Sequence, residues 1–281
     1  SFRQWGIGAP KMVLRTTTHQ TIYLVAENGE AAALSVHAIP IAKEPENGPL
    51  VSAIAPLTSH HELKMIISVP VDIDEESGFI TSISRMGLVK RSLLSDLPGP
   101  SANLFQLTKI NDGDELCTLV ITKGEEDVIL VTRNGMGIRF SEEDARQMGL
   151  VAAGVGGIKL RDDDVVVGAG VASRRGEILL VTSHGYGKRI KPALFPTQGR
   201  YGYGVITWKL PKSETVIGMM TGLLTHNGVL HFKSAASRLV RITDAQSCNR
   251  MQKGSKIIDV KEGDEIQEMS IPLDMVSILD K

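Results

Sequence analysis

Cysteine is nearly absent. Cys117 and Cys248 are the only two in 281 residues, too few for a disulfide framework and lacking the paired spacing of a zinc site, which points to a reducing cytoplasm. No window approaches eighteen consecutive apolar residues and no Asn-x-Ser/Thr acceptor occurs, so neither a membrane span nor secretion is indicated. No signal-peptide pattern opens the chain, and the absence of an initiating methionine before Ser1 suggests a piece of a longer polypeptide. Aromatic residues make up 4%, which argues against single-strand recognition by base stacking on Trp5 or Trp208. Net charge is also missing: the formal total of −1 by itself speaks against a nucleic-acid partner.

What is present is repetition. An apolar run followed by a glycine turn and a second strand recurs five times: Ile22–Val25 to Gly29, Ile80–Ile83 to Gly87, Val128–Val131 to Gly135, Ile178–Val181 to Gly185, and Leu230–Lys233 to Ser237, where serine stands in for glycine. Successive turns lie 58, 48, 50 and 52 residues apart, a period that with strand composition means propeller blades or a related array. Four of the copies carry a second hairpin signal, at Asp112-Gly113-Asp114, Asp162-Asp163-Asp164, Pro211-Lys212-Ser213 and Glu262-Gly263-Asp264. Ser141 caps an expected helical turn followed by Glu142, Glu143 and Asp144.

These features predict one all-β domain over residues 1–281, with repeats near 19–76, 77–125, 126–175, 176–226 and 227–274 and a partial sixth blade from 1–18 and 275–281. Lys11–Arg15 occupies the place of a fourth strand and Met275–Leu279 that of a first strand. The two ends are expected to meet and close the ring, because free strand edges invite aggregation.

The neutral total conceals a polarised chain. Residues 1–80 carry 5 basic and 9 acidic side chains, 81–132 carry 5 and 7, 133–209 carry 12 and 7, and 210–281 carry 9 and 9. Three and four steps past each turn stand Ala32 and Ala33, Lys90 and Arg91, Ile138 and Arg139, Lys188 and Arg189, and Val240 and Arg241. A second series runs Arg146, Arg200, Arg250, and a third runs Lys159, Lys209, Lys256, with Lys191 beside the fourth copy. Taken singly, such residues are solvated strand faces. If rotation relates the blades, equal positions fall on one rim, and a cationic belt on a rigid disc suits a DNA duplex bent around it.

Asn134-Gly135-Met136-Gly137-Ile138-Arg139-Phe140, Gly156-Gly157-Ile158-Lys159-Leu160 and His184-Gly185-Tyr186-Gly187-Lys188-Arg189, in this order, with Phe195-Pro196-Thr197, resemble the C-terminal domain of the DNA gyrase A subunit, as well as that of its paralogue, the topoisomerase IV A subunit. The likeness runs from about Lys11 to Pro272. It implies a β-pinwheel of about six four-stranded blades with hairpins exchanged between neighbours, and a basic rim that wraps double-stranded DNA in support of ATP-dependent negative supercoiling. It implies as partners the remainder of the gyrase A subunit together with the gyrase B subunit, the isolated domain being monomeric. It also implies no catalysis and no cofactor in this chain, and a bacterial, nucleoid-associated setting. The family's Gln-Arg-Arg-Gly-Gly-Lys-Gly box corresponds to a degenerate stretch in which only Gln4, Gly6 and Gly8 remain. This leaves open a weakly wrapping, topoisomerase IV-like domain.

Other signals weigh less. His60-His61 has no further ligand at metal spacing, Asp162–Asp164 lacks the twelve-residue calcium pattern, and Gly135-x-Gly137 precedes a strand where a dinucleotide fingerprint needs a helix. A propeller that binds proteins through its faces remains a rival. A hydrolase or lyase with a site in the channel is disfavoured because Val128–Val131 and Ile178–Val181, read as the inner strands, are uniformly apolar.

Overall fold

The computed structural model describes residues 10–44, 47–57, 62–101 and 103–274. Within them the five repeats form five blades. Blade 1 contains Gln20–Ala26, Glu30–Ser35 and Leu63–Pro70; blade 2 contains Phe79–Ser84, Leu88–Leu93 and Leu116–Thr122; blade 3 contains Asp127–Thr132, Met136–Ser141 and Val166–Val171. Blade 4 contains Glu177–Thr182, Tyr186–Ile190 and Val216–Gly222, and blade 5 contains Asn227–Phe232, Arg238–Arg241 and Ile266–Ser270.

The fourth strand of each of the first four sheets is borrowed. Leu104–Gln106 from the second repeat pairs with blade 1, Val155–Gly156 from the third with blade 2, Val205–Ile206 from the fourth with blade 3, and Ser255–Lys256 from the fifth with blade 4. Blade 5 is three-stranded among the described residues. The borrowed strands sit at the outer edge of each sheet, while Leu63–Pro70, Leu116–Thr122, Val166–Val171, Val216–Gly222 and Ile266–Ser270 sit at the opposite edge. Those opposite-edge strands pack on one another and line a central channel. The strands expected to be innermost, such as Val128–Val131, are therefore second from the axis.

That position explains their composition. Ile129 and Val131 pack with Ile178, Leu180 and Trp208 of the following repeat, whereas Val128 and Leu130 pack with Ile83, Val89 and Val120 of the preceding blade. A strand buried on both faces loses polar alternation and reads as a continuous apolar run. Such a core is a layer between consecutive blades; a separate cluster covers the other face of blade 1.

The turn glycines join the repeats. Gly29, Gly87, Gly135 and Gly185 all adopt φ of about +80°, at 81°, 82°, 80° and 84°. Their carbonyls accept from Leu107, Gly157, Thr207 and Ile257 of the next repeat at 2.8–3.0 Å. A Cβ on Gly135 would stand 2.3 Å from the Trp208 carbonyl oxygen. Ser237, the one turn position without glycine, belongs to the blade with no borrowed strand over it among the described residues.

Leu14–Arg15 pairs in parallel with Leu273–Asp274; Met275–Leu279, the segment expected to meet Lys11–Arg15, lies outside the described residues. The expected helical turn at Ser141 is a single 3-10 turn, Glu142–Asp144, with Ser141 Oγ accepting from the Glu143 amide at 3.3 Å. The stretch between the second and third strands of the first repeat departs from the pattern. It includes the short helix Val51–Ile54, and Ala55, Val36, Ile39 and Leu57 cover Ile22 and Leu24 on blade 1.

Candidate nucleic-acid interface

Adjacent residues on a strand face opposite ways, and this divides the Lys-Arg pairs. The third position past the turn is buried in every copy: Ala32, Lys90, Ile138, Lys188 and Val240 are all within 2% of complete burial. Lys90 Nζ donates to the Leu107 and Leu150 carbonyls at 2.5 and 2.6 Å, and Lys188 Nζ to those of Arg250 and Gln252 at 2.6 and 3.1 Å. Lys188 also lies 5.0 Å from the Trp208 ring centre. Burial pulls both amines down to about 8. Lys90 and Lys188 are therefore corrected from the rim to the interior, where they clip the next repeat in place.

The fourth position carries the arginines, and these do share one place in each blade. Arg139 Nε lies 2.7 Å from Asp127, and its Nη1 donates to the Pro192 and Phe195 carbonyls. Arg189 lies 3.4 Å from Glu177, the equivalent carboxylate. Arg91 stacks 4.2 Å above Phe79 and approaches Glu142 at 3.7 Å. Glu142 accepts from the Gly124 and Glu126 amides and from the Thr122 hydroxyl, while burial pushes its carboxyl up. These three arginines are half-buried and matched by acids or an aromatic ring, and Arg139 and Arg91 reach the following repeat. Arg241 is exposed.

The other two series need re-registering. Arg200 donates to the Asp144 and Gly156 carbonyls and Arg250 to those of Leu194 and Ile206, fifty residues on in each case. The residue equivalent to them in the third repeat is Leu150; Arg146 is exposed but belongs to a different position. Lys159 and Lys209 follow the outer strands by three residues and are exposed. Their equivalent in the second repeat is Lys109, which is exposed; the sequence pattern missed it because the series was matched over three copies only. In the fifth repeat the equivalent is Asp259. Lys256 lies on an outer strand, 3.4 Å from Asp259. Lys191 is exposed ahead of the turn Pro192–Leu194. Gln4, Gly6, Gly8 and the His60-His61 pair lie outside the described residues. Lys109, Lys159, Lys209, Arg146, Lys191 and Arg241 are thus exposed, and Arg200 and Arg250 are bonded to carbonyls of the preceding repeat.

Blades around a channel, four of them completed by a strand from the next repeat, define the β-pinwheel class. The family model for the DNA gyrase C-terminal domain, beta-propeller, matches residues 126–173, 176–221 and 240–271. The chain is 33% identical to the DNA gyrase A subunit of Salmonella typhimurium over 207 residues, 73% of this chain and 23% of that protein. It is 30% identical to the corresponding gyrase protein of Aminobacterium colombiense over 262 residues, 92% of this chain and 32% of that protein. The chain therefore spans about a third or less of the relatives it matches. Among solved structures, the C-terminal domain of DNA topoisomerase IV aligns at TM-score 0.81 and 22% identity, covering 91% of this chain and 80% of that one. The DNA gyrase A C-terminal domain aligns at 0.75 and 18%, covering 92% and 85%. The chain belongs to the family of DNA gyrase A C-terminal domains.

Proposed function

We propose that this domain binds duplex DNA along its outer edge and bends it across successive blades. The observation that carries the reading is the recurrence of an exposed lysine, Lys109, Lys159 and Lys209, three residues beyond the outer strand of three consecutive sheets. Phosphates met once per blade provide affinity without sequence readout, and repetition along an arc offsets the bending cost of order 1–6 kcal/mol. The series breaks at Asp259, and blade 1 offers Ala33 where other copies place arginine. The lysines themselves stand beyond the outer strands of blades 1, 2 and 3, so the bound arc centres on those blades, as in a domain that wraps less than the full perimeter. In the whole protein the wrapped segment serves ATP-dependent strand passage by the rest of the gyrase A subunit together with the gyrase B subunit, in the bacterial cytoplasm at the nucleoid, with the catalytic tyrosine and the ATPase outside this chain.

The test is topological. Relaxed circular DNA is titrated with the chain, treated with a topoisomerase I, and its linking number measured. A positive shift growing with protein supports wrapping; binding without any shift leaves only a basic surface.

A further inference from the structure

Three loop tips, fifty residues apart, expose a large apolar side chain. Val151, Tyr201 and Met251 are 74%, 57% and 62% exposed, and each is the central residue of the turn that packs across the preceding repeat's outer strand. Their recurrence at one structural position sets them apart from scattered exposure.

The turns that carry them are firmly held. The carbonyl before Val151 accepts from buried Lys90, and the carbonyl after it, at Ala152, accepts from the Lys109 amide at 3.2 Å. Both carbonyls flanking Met251, at Arg250 and Gln252, accept from buried Lys188. Tyr201 has no lysine beneath it, since Ile138 fills that position; its amide donates to Gly157 at 2.7 Å, and the Gly202 carbonyl accepts from the Lys159 amide at 2.9 Å. Tyr201 also holds a left-handed backbone, φ 63°, and its ring lies over Gly156, where a Cβ would stand 2.1 Å from it. Non-glycine residues kept in that conformation concentrate at functional sites.

The same hydrogen bonds seat Val151 beside exposed Lys109 and Tyr201 beside exposed Lys159; the fifty-residue register pairs Met251 with Lys209. An apolar tip beside a cation matches the floor of a minor groove flanked by phosphate, and it fits a purely apolar protein patch poorly. We propose that Val151, Tyr201 and Met251 are apolar wedges that seat against the sugar edges of the minor groove where it faces the rim, one per blade, and hold the bent duplex to the blades. This rests on the wrapping reading above.

The test uses the whole chain carrying Val151→Ser, Tyr201→Asn and Met251→Ser together, asparagine being chosen because it tolerates the left-handed backbone. A duplex labelled at both ends reports bending by energy transfer, and its affinity is followed against salt. The expected result is at least a tenfold loss of affinity and an end-to-end distance close to that of free DNA, with the slope of log K against log salt flattened because a straight duplex no longer reaches the lysines of successive blades. A variant that bends the duplex as the parent does overturns the wedges and leaves wrapping standing. A parent chain that leaves the duplex straight and unbound at low salt overturns wrapping, and the wedges with it.

Discussion

At the scale of single residues, Lys90 and Lys188 show how a motif and its role part company. Lys-Arg read along the chain is one basic pair; on a strand it is two residues on opposite faces. The sequence held the clue, since sister copies fill the lysine position with Ala32, Ile138 and Val240, residues suited to a buried face. What no local pattern carried was the presence of carbonyls from a repeat some sixty residues away to receive the ammonium. Lys188→Ala is expected to lower stability by about 2–4 kcal/mol, from the cavity and two deprived carbonyls, and to leave the salt slope of duplex binding unaltered. Denaturant unfolding and a salt titration measure both. The two amines also predict a pH dependence. Because burial holds them at about 8 against an ordinary 10.5, the unfolded chain binds more protons between those values, so unfolding free energy rises with pH across that window. Replacing both lysines with methionine is expected to flatten the rise; a fall over the same window in the parent would contradict the assignment.

At the scale of elements, the hairpins were legible because glycine at positive φ between apolar runs has few other uses. The exchange of outer strands came through family likeness alone, since Val155-Gly156 and Val205-Ile206 are two-residue pairings too short to leave a pattern. The first repeat was least legible: between its second and third strands stands a padded loop, with the short helix Val51–Ile54, that no sister copy resembles. The turn glycine is where hairpin and exchange meet. Gly135→Ala forces a side chain into left-handed backbone and against the Trp208 carbonyl, and is expected to cost about 2–4 kcal/mol. The same kind of change at Ser237, where no positive φ and no overlying strand are found among the described residues, is expected to cost about 1 kcal/mol, for the hydroxyl's hydrogen bond with His231. Equal losses at the two sites in thermal or denaturant unfolding would show that the seam does not explain the glycine.

At the scale of the molecule, a net charge near zero is compatible with a nucleic-acid partner because of how the acids are placed. Asp127, Glu142 and Glu177 are spent on the clasping arginines between blades, so the lysines beyond the outer strands face outward without an acidic partner among the described residues. Each stands three residues beyond the outer strand of its sheet; Lys159 and Lys209 were read from the sequence, and Lys109 was not. The most direct measurement is duplex affinity across about 50 to 200 mM salt for the parent, for Lys109, Lys159 and Lys209 changed together to alanine, and for Lys90 and Lys188 changed together to methionine. The account predicts that the outer set flattens the log–log slope by about 2.7, at about 0.9 per lost phosphate contact, and that the buried set leaves it alone. A slope untouched by the outer lysines, or flattened by the buried ones, would contradict it.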